Sequence, residues 1–145
     1  MKSLLAALVI LLAGVTARAQ DWGNLDQLLM GNLTRTGTAQ ATYWLPDSAD
    51  PAQARRAVGV AYEYIEGSAG SFSIAVGVFI RQGSAWGFVG TVNGVFGQSP
   101  RDVAFAGNTA QLTTTTLRDG EPRCCPTGQT RWQIDLSTLT AQPLP

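Results

Sequence analysis

The chain has 145 residues, with ten basic side chains balancing ten acidic ones, no histidine and a single lysine, Lys2. With no basic surplus there is no electrostatic footprint for nucleic acid. Without histidine the usual general base and the commonest zinc ligand are both missing, so no enzymatic activity, no metal and no cofactor are expected.

The first residues read as a secretory leader: Lys2 is the charged start, Leu4 to Val15 the apolar run, and Ala17-Arg18-Ala19 the small-x-small cleavage site. About a dozen apolar residues fall short of the roughly 20 that span a bilayer, so stable membrane insertion is not expected. Residues 1–19 are read as a signal peptide and 20–145 as one mature domain, periplasmic or secreted. Its eight arginines against ten acids leave a net charge of about minus two. Schiff-base chemistry leaves with Lys2. No cysteine follows the apolar run, so a lipid anchor is not expected.

Leu25, Leu28, Leu29 and Leu33 recur at helical spacing and predict an amphipathic helix over Asp21 to Leu33, capped by Asp21 or Asn24. Ala39 to Leu45 is a candidate strand, and Asp50-Pro51 can open a single helical turn. From Ala57 the period becomes two, with Val58, Val60, Tyr62 and Tyr64 on one face and Ala57, Gly59, Ala61 and Glu63 on the other. Turn residues at 66–70 lead into a second strand, Phe72 to Ile80, and Gln82-Gly83-Ser84 into a third, Trp86 to Phe96. Gly97 to Pro100 breaks the chain again. A fourth strand starts at Val103, a fifth spans Gln111 to Leu117, and a sixth spans Arg131 to Leu136. The tail after Thr140 is expected to fray.

The fold class that follows is α+β, mainly β: an antiparallel meander of about six strands, over roughly 57–136, with one N-terminal helix packed on it. One core is expected to hold Val58, Tyr62, Ile74, Val76, Val78, Phe88, Val103 and Ile134. Gly59, Ala61, Ala75, Gly77, Gly87 and Gly90 make a small-residue face; the helix is its expected cover, a ligand or another backbone the alternative.

Few motifs carry chemistry. Asp47, Asp50, Glu63 and Glu66 match no calcium loop and read as solvated acids. No Gly-x-Ser-x-Gly elbow occurs, GTVNGVFG lacks the lysine of a phosphate loop, and no two carboxylates are paired by spacing. Asn32-Leu33-Thr34 is a bare glycosylation sequon. The strongest local feature is Asp119 to Gly128, which holds both cysteines, Cys124 and Cys125, between Pro122 and Pro126. In an oxidising compartment they are expected to pair as a vicinal disulfide. Adjacent Cα atoms lie about 3.8 Å apart, closer than ordinary disulfides, and successive strand side chains diverge, so such a pair needs a bent loop. Three readings stand: a structural staple or a reduced buried pair; a ligand-contacting loop with Arg123, Arg131, Trp132 and Pro126; and a redox switch. Zinc is not expected, for want of four ligands.

The run Gly120 to Thr127, followed by Arg131-Trp132, resembles the end of a bacterial exported group, the mycobacterial LppP/LprE-type lipoproteins and related periplasmic proteins. Gly70-Ser71-Phe72 matches that group's strand start, and the likeness covers roughly Ala57 to Leu136. This chain departs from the group in lacking a lipid-attachment cysteine and in carrying Asp50 to Arg55 where many relatives have a glycine- and aspartate-rich turn. The resemblance implies export and a β-rich fold; the group offers no settled activity to carry over. The expected function is a small binding or interaction module whose partner is an unknown small molecule or an envelope protein. A structural envelope protein and a redox-responsive thiol protein are the alternatives.

Overall fold

Residues 22–145 are described by a computed structural model; the expected leader and its expected cleavage site after Ala19 lie outside the described residues. The leucine stripe forms helix α1 (Leu25–Leu33). Asn24 is the cap, its side-chain oxygen accepting the Gln27 amide at 3.0 Å, and Thr34 closes the other end by donating from its hydroxyl to the Met30 carbonyl at 2.7 Å. Leu29 and Leu33 are buried.

Eight strands follow among the described residues, in two antiparallel sheets of four. The first sheet runs in chain order through β1 (Ala41–Pro46), β2 (Arg56–Tyr64), β3 (Phe72–Gln82) and β4 (Ala85–Val92). The second runs through β5 (Gln98–Ala106), β6 (Thr109–Thr116), β7 (Gly128–Asp135) and β8 (Thr140–Pro143). The fold is therefore mainly β with one packed helix, as expected, but with eight strands rather than six. One addition is β1, foreshadowed by Ala39 to Leu45. The other is β8, which corrects the expected frayed tail. Four residues with a proline show no alternation, yet they are held on both sides. Ala141 sits opposite Ile134 of β7, and the Ala141 amide donates to the Asn93 carbonyl at 2.8 Å.

Period-two alternation puts Val58, Val60, Val76 and Val78 of the first sheet against Ala110, Leu112, Trp132 and Ile134 of the second, so the two sheets enclose a shared core. Tyr62, Ile74 and Val103 pack at its margin. Phe88 does not belong to it. The β3–β4 register shifts between Val78 and Phe79, so Val78 faces Gly90 while Phe79 faces Phe88. That bulge turns Phe88 to the helix side, against Phe79 at 5.3 Å, and leaves Gly90 beneath Leu139.

The opposite face of the first sheet carries α1. A Cβ on Gly59 would collide with Leu29 and one on Gly77 would meet Leu33 Cδ2 at 2.7 Å, so the helix does cover this part of the small-residue face. Gly87 and Gly90 face Gln82 and Leu139 instead. Phe79 is fully buried here among Leu29, Leu33 and Ala61, and Trp44 and Trp86 meet edge to face at 4.9 Å beside it. Neither indole N–H of that pair has a hydrogen-bond partner. Glu63 is another correction. It is buried, not solvated, and its carboxylate accepts the Arg35 and Thr36 amides at 3.0 and 2.8 Å and the Thr36 hydroxyl at 2.7 Å, closing the turn after α1.

Candidate functional site

The β6–β7 connection, residues 117–127, carries both cysteines and is built from two successive turns. The first is closed by the Glu121 amide donating to Arg118 at 3.1 Å, with Gly120 at φ 81°, a value that favours glycine at the third turn position. The second is closed by the Cys125 amide donating to Pro122 at 3.1 Å. One carboxylate braces both ends of the loop. Glu121 accepts the Arg118 and Thr127 amides at 2.9 Å each, and the Thr127 hydroxyl donates to its other oxygen. These bonds, the one from the Arg118 amide first, hold the Glu121 carboxyl down to about 2. At Gly128 the chain re-enters the sheet so close to Thr116 that a Cβ would lie 2.6 Å from its carbonyl oxygen.

The expected vicinal disulfide is not formed: Cys124 and Cys125 are exposed free cysteines. The tight turn brings their side chains into contact without a covalent bond, and the hydrogen bond with Cys124 pushes the Cys125 thiol up. Neither cysteine is buried, so the buried-pair reading is also corrected. Arg123 is exposed in the same loop and Pro126 is half-buried. Arg131 is exposed too, but it lies three residues into β7, about 10 Å of extended chain from the loop. It faces Thr113, with Arg101 on that threonine's other side. Trp132 is only 2% exposed and points the other way, into the core, where its indole N–H donates to Thr114 at 2.8 Å. The structure therefore keeps Arg123, Pro126 and the two cysteines together and separates Arg131 and Trp132 from them.

What the sequence reading missed lies at the same end of the molecule. The crossing between the sheets starts at Asn93, bridged to Thr140, and ends at Gly97 against Thr114 and Thr115, near the point where the cysteine loop leaves β6. Along the crossing, Val95 is buried, the Tyr62 hydroxyl donates to Gly97 at 2.9 Å, and Phe96 lies edge to face on Trp132 at 4.7 Å. Tyr62 is pushed up to about 12, chiefly by burial and then by neighbouring Tyr43. Outside this seal several large apolar groups stay in water. Phe96 is 58% exposed, Tyr64 52% and Phe72 42%; Ile65, next to Tyr64 in the chain, and Leu117, at the start of the cysteine loop, are exposed as well. Tyr64 and Phe72 are cross-strand partners, edge to face at 6.3 Å, and with Thr38, Ala39, Gln40 and Gly70 they line an open cavity of about 460 Å³. Alternation puts Tyr64 and Phe72 on the core face, but they stand one pair beyond Tyr62 and Ile74, which already form the margin of the core.

Among the described residues no helix is long and apolar enough to cross a membrane, and no three metal-ligating side chains form a cluster. Compared with protein-family models, curated proteins and solved structures, the chain matches none.

Proposed function

We propose that this chain is an exported binding module that holds a protein partner through the apolar end formed by Tyr64, Phe72 and Phe96. The carrying observation is that Phe96 and Tyr64 are among the most exposed large apolar side chains of the described residues and that Tyr64 meets exposed Phe72 edge to face across the end of the hairpin, since grouped apolar exposure marks interaction surfaces. Aromatic groups suit such a role because they offer a large contact area at low entropic cost. The cavity beside Tyr64 opens on one side to water, whereas small-molecule sites enclose most of their ligand, so this surface suits a protein partner better. Export is proposed from the leader-like residues Lys2 to Ala19.

The test replaces Phe72 and Phe96 separately by serine and follows both stability and retention of partner from an envelope extract. Each variant is expected to keep its fold and lose most of the retained partner. Undiminished retention by both variants overturns the reading.

A further inference from the structure

Cys124 and Cys125 have no part in the apolar contact surface, and they are the only side chains of this loop with strong coordination chemistry. Three observations bear on what they do. Both are exposed and unbonded to each other, so both sulfurs are open to a ligand. They are neighbours in a turn closed by the Cys125 amide on Pro122 at 3.1 Å, and the turn sits in a loop braced at both ends by Glu121. Glu121 itself is occupied as that brace, accepting two amides and a hydroxyl, which leaves the site with sulfur donors alone.

We propose that Cys124 and Cys125 form a two-thiolate site for a soft monovalent metal ion of the Cu(I) class. Zinc requires four ligands, and among the described residues no third histidine, cysteine or carboxylate gathers here to approach that number. Hard cations require oxygen cages. A soft ion satisfied by two thiolates is what remains, and thiolate is the donor that selects Cu(I). Binding breaks two S–H bonds and forms two Cu–S bonds; both protons pass to solvent and copper stays Cu(I), so no electrons move. The loaded site carries one net negative charge, which Arg123, exposed in the adjoining position, offsets.

The experiment uses the full mature chain, reduced and kept anaerobic, challenged with Cu(I) held by a coloured chelator. One Cu(I) per chain is expected to transfer, with a sulfur-to-copper charge-transfer band, and to be released on acidification. Cys124→Ser and Cys125→Ser should each abolish transfer with circular dichroism unchanged, because both side chains are exposed. Glu121→Gln, which loosens the brace without touching a sulfur, should weaken transfer several-fold. No transfer to the native chain, transfer that survives the double serine variant, or one ion shared by two chains in gel filtration overturns the proposal. None of these results depends on Phe72 or Phe96, so the partner-binding reading stands or falls apart from it.

Discussion

Replacing Gly59 by alanine adds one methyl group to the middle of β2, and the structure says what it meets. The new Cβ would collide with Leu29 Cδ2 and lie 2.7 Å from Phe79 Cε2. Leu29 ends in a rotatable side chain, but Phe79 is fully buried between Trp44 at 5.4 Å and Phe88 at 5.3 Å and cannot swing away. Gly59 does not have the positive φ that favours glycine, so backbone strain does not enter. The cost is overpacking, about 1–3 kcal/mol, which for a domain of this size corresponds to roughly 4–12 °C in melting temperature. The same substitution at Gly31 should have the opposite sign. A Cβ there meets nothing within 4 Å, and alanine favours a helix by roughly 0.5–1 kcal/mol over glycine. Calorimetry of both variants, with Leu29→Ala alone and combined with Gly59→Ala, completes the test. Leu29→Ala vacates the space the methyl needs, so the double variant should lose about 1 kcal/mol less than the sum of the single losses. Unchanged stability in Gly59→Ala, or strict additivity with Leu29→Ala, would refute the packing of α1 on this face.

Thr114→Val should cost roughly 1–3 kcal/mol in denaturant unfolding, because it strands the buried Trp132 indole N–H, whose bond Thr114 accepts at 2.8 Å, and also removes the part-buried bond that Thr114 donates to the Phe96 carbonyl at 2.7 Å. Glu121 has a folded-state value of about 2, below its ordinary 4.5, so its brace is complete above pH 4.5 and is lost as pH falls through 2. Amide resonances of Arg118 and Thr127 should report that titration, and Glu121→Gln should speed their hydrogen exchange while the sheet amides stay protected. Glu63 is likewise lowered, first by the Thr36 hydroxyl and then by the Thr36 and Arg35 amides, so its contribution also fades on acidification. Glu63→Gln should raise hydrogen exchange at Arg35 and Thr36 at neutral pH.

Much of the fold is legible in the sequence because β2, β3 and β7 alternate strictly and because Gly59, Ala61 and Gly77 leave room that only a neighbouring element can fill. The bulge after Val78 is not legible. Simple alternation through Trp86 to Phe96 places Phe88 in the core, and only the register with Phe79 shows otherwise. Strand β8 escapes for a different reason: its stability comes from backbone bonds to β7 and Asn93, which leave no side-chain period. At the candidate site the cysteine pair is conspicuous in the sequence, but its free state and the Glu121 brace depend on local turn geometry. Tyr64 and Phe72 share their face with true core residues. What exposes them is their place at the end of the hairpin, beyond the core margin at Tyr62 and Ile74, a tertiary quantity that strand period does not encode.

The most direct test of the binding account is site-specific photo-crosslinking in the source cell. A photoreactive residue is placed at Phe72, at Phe96 or, as a control, at Gln111 on the exposed outer face of the second sheet. A discrete protein adduct from positions 72 and 96, absent from 111, is the predicted result. No adduct at 72 and 96, or equal adducts at all three positions, would contradict it.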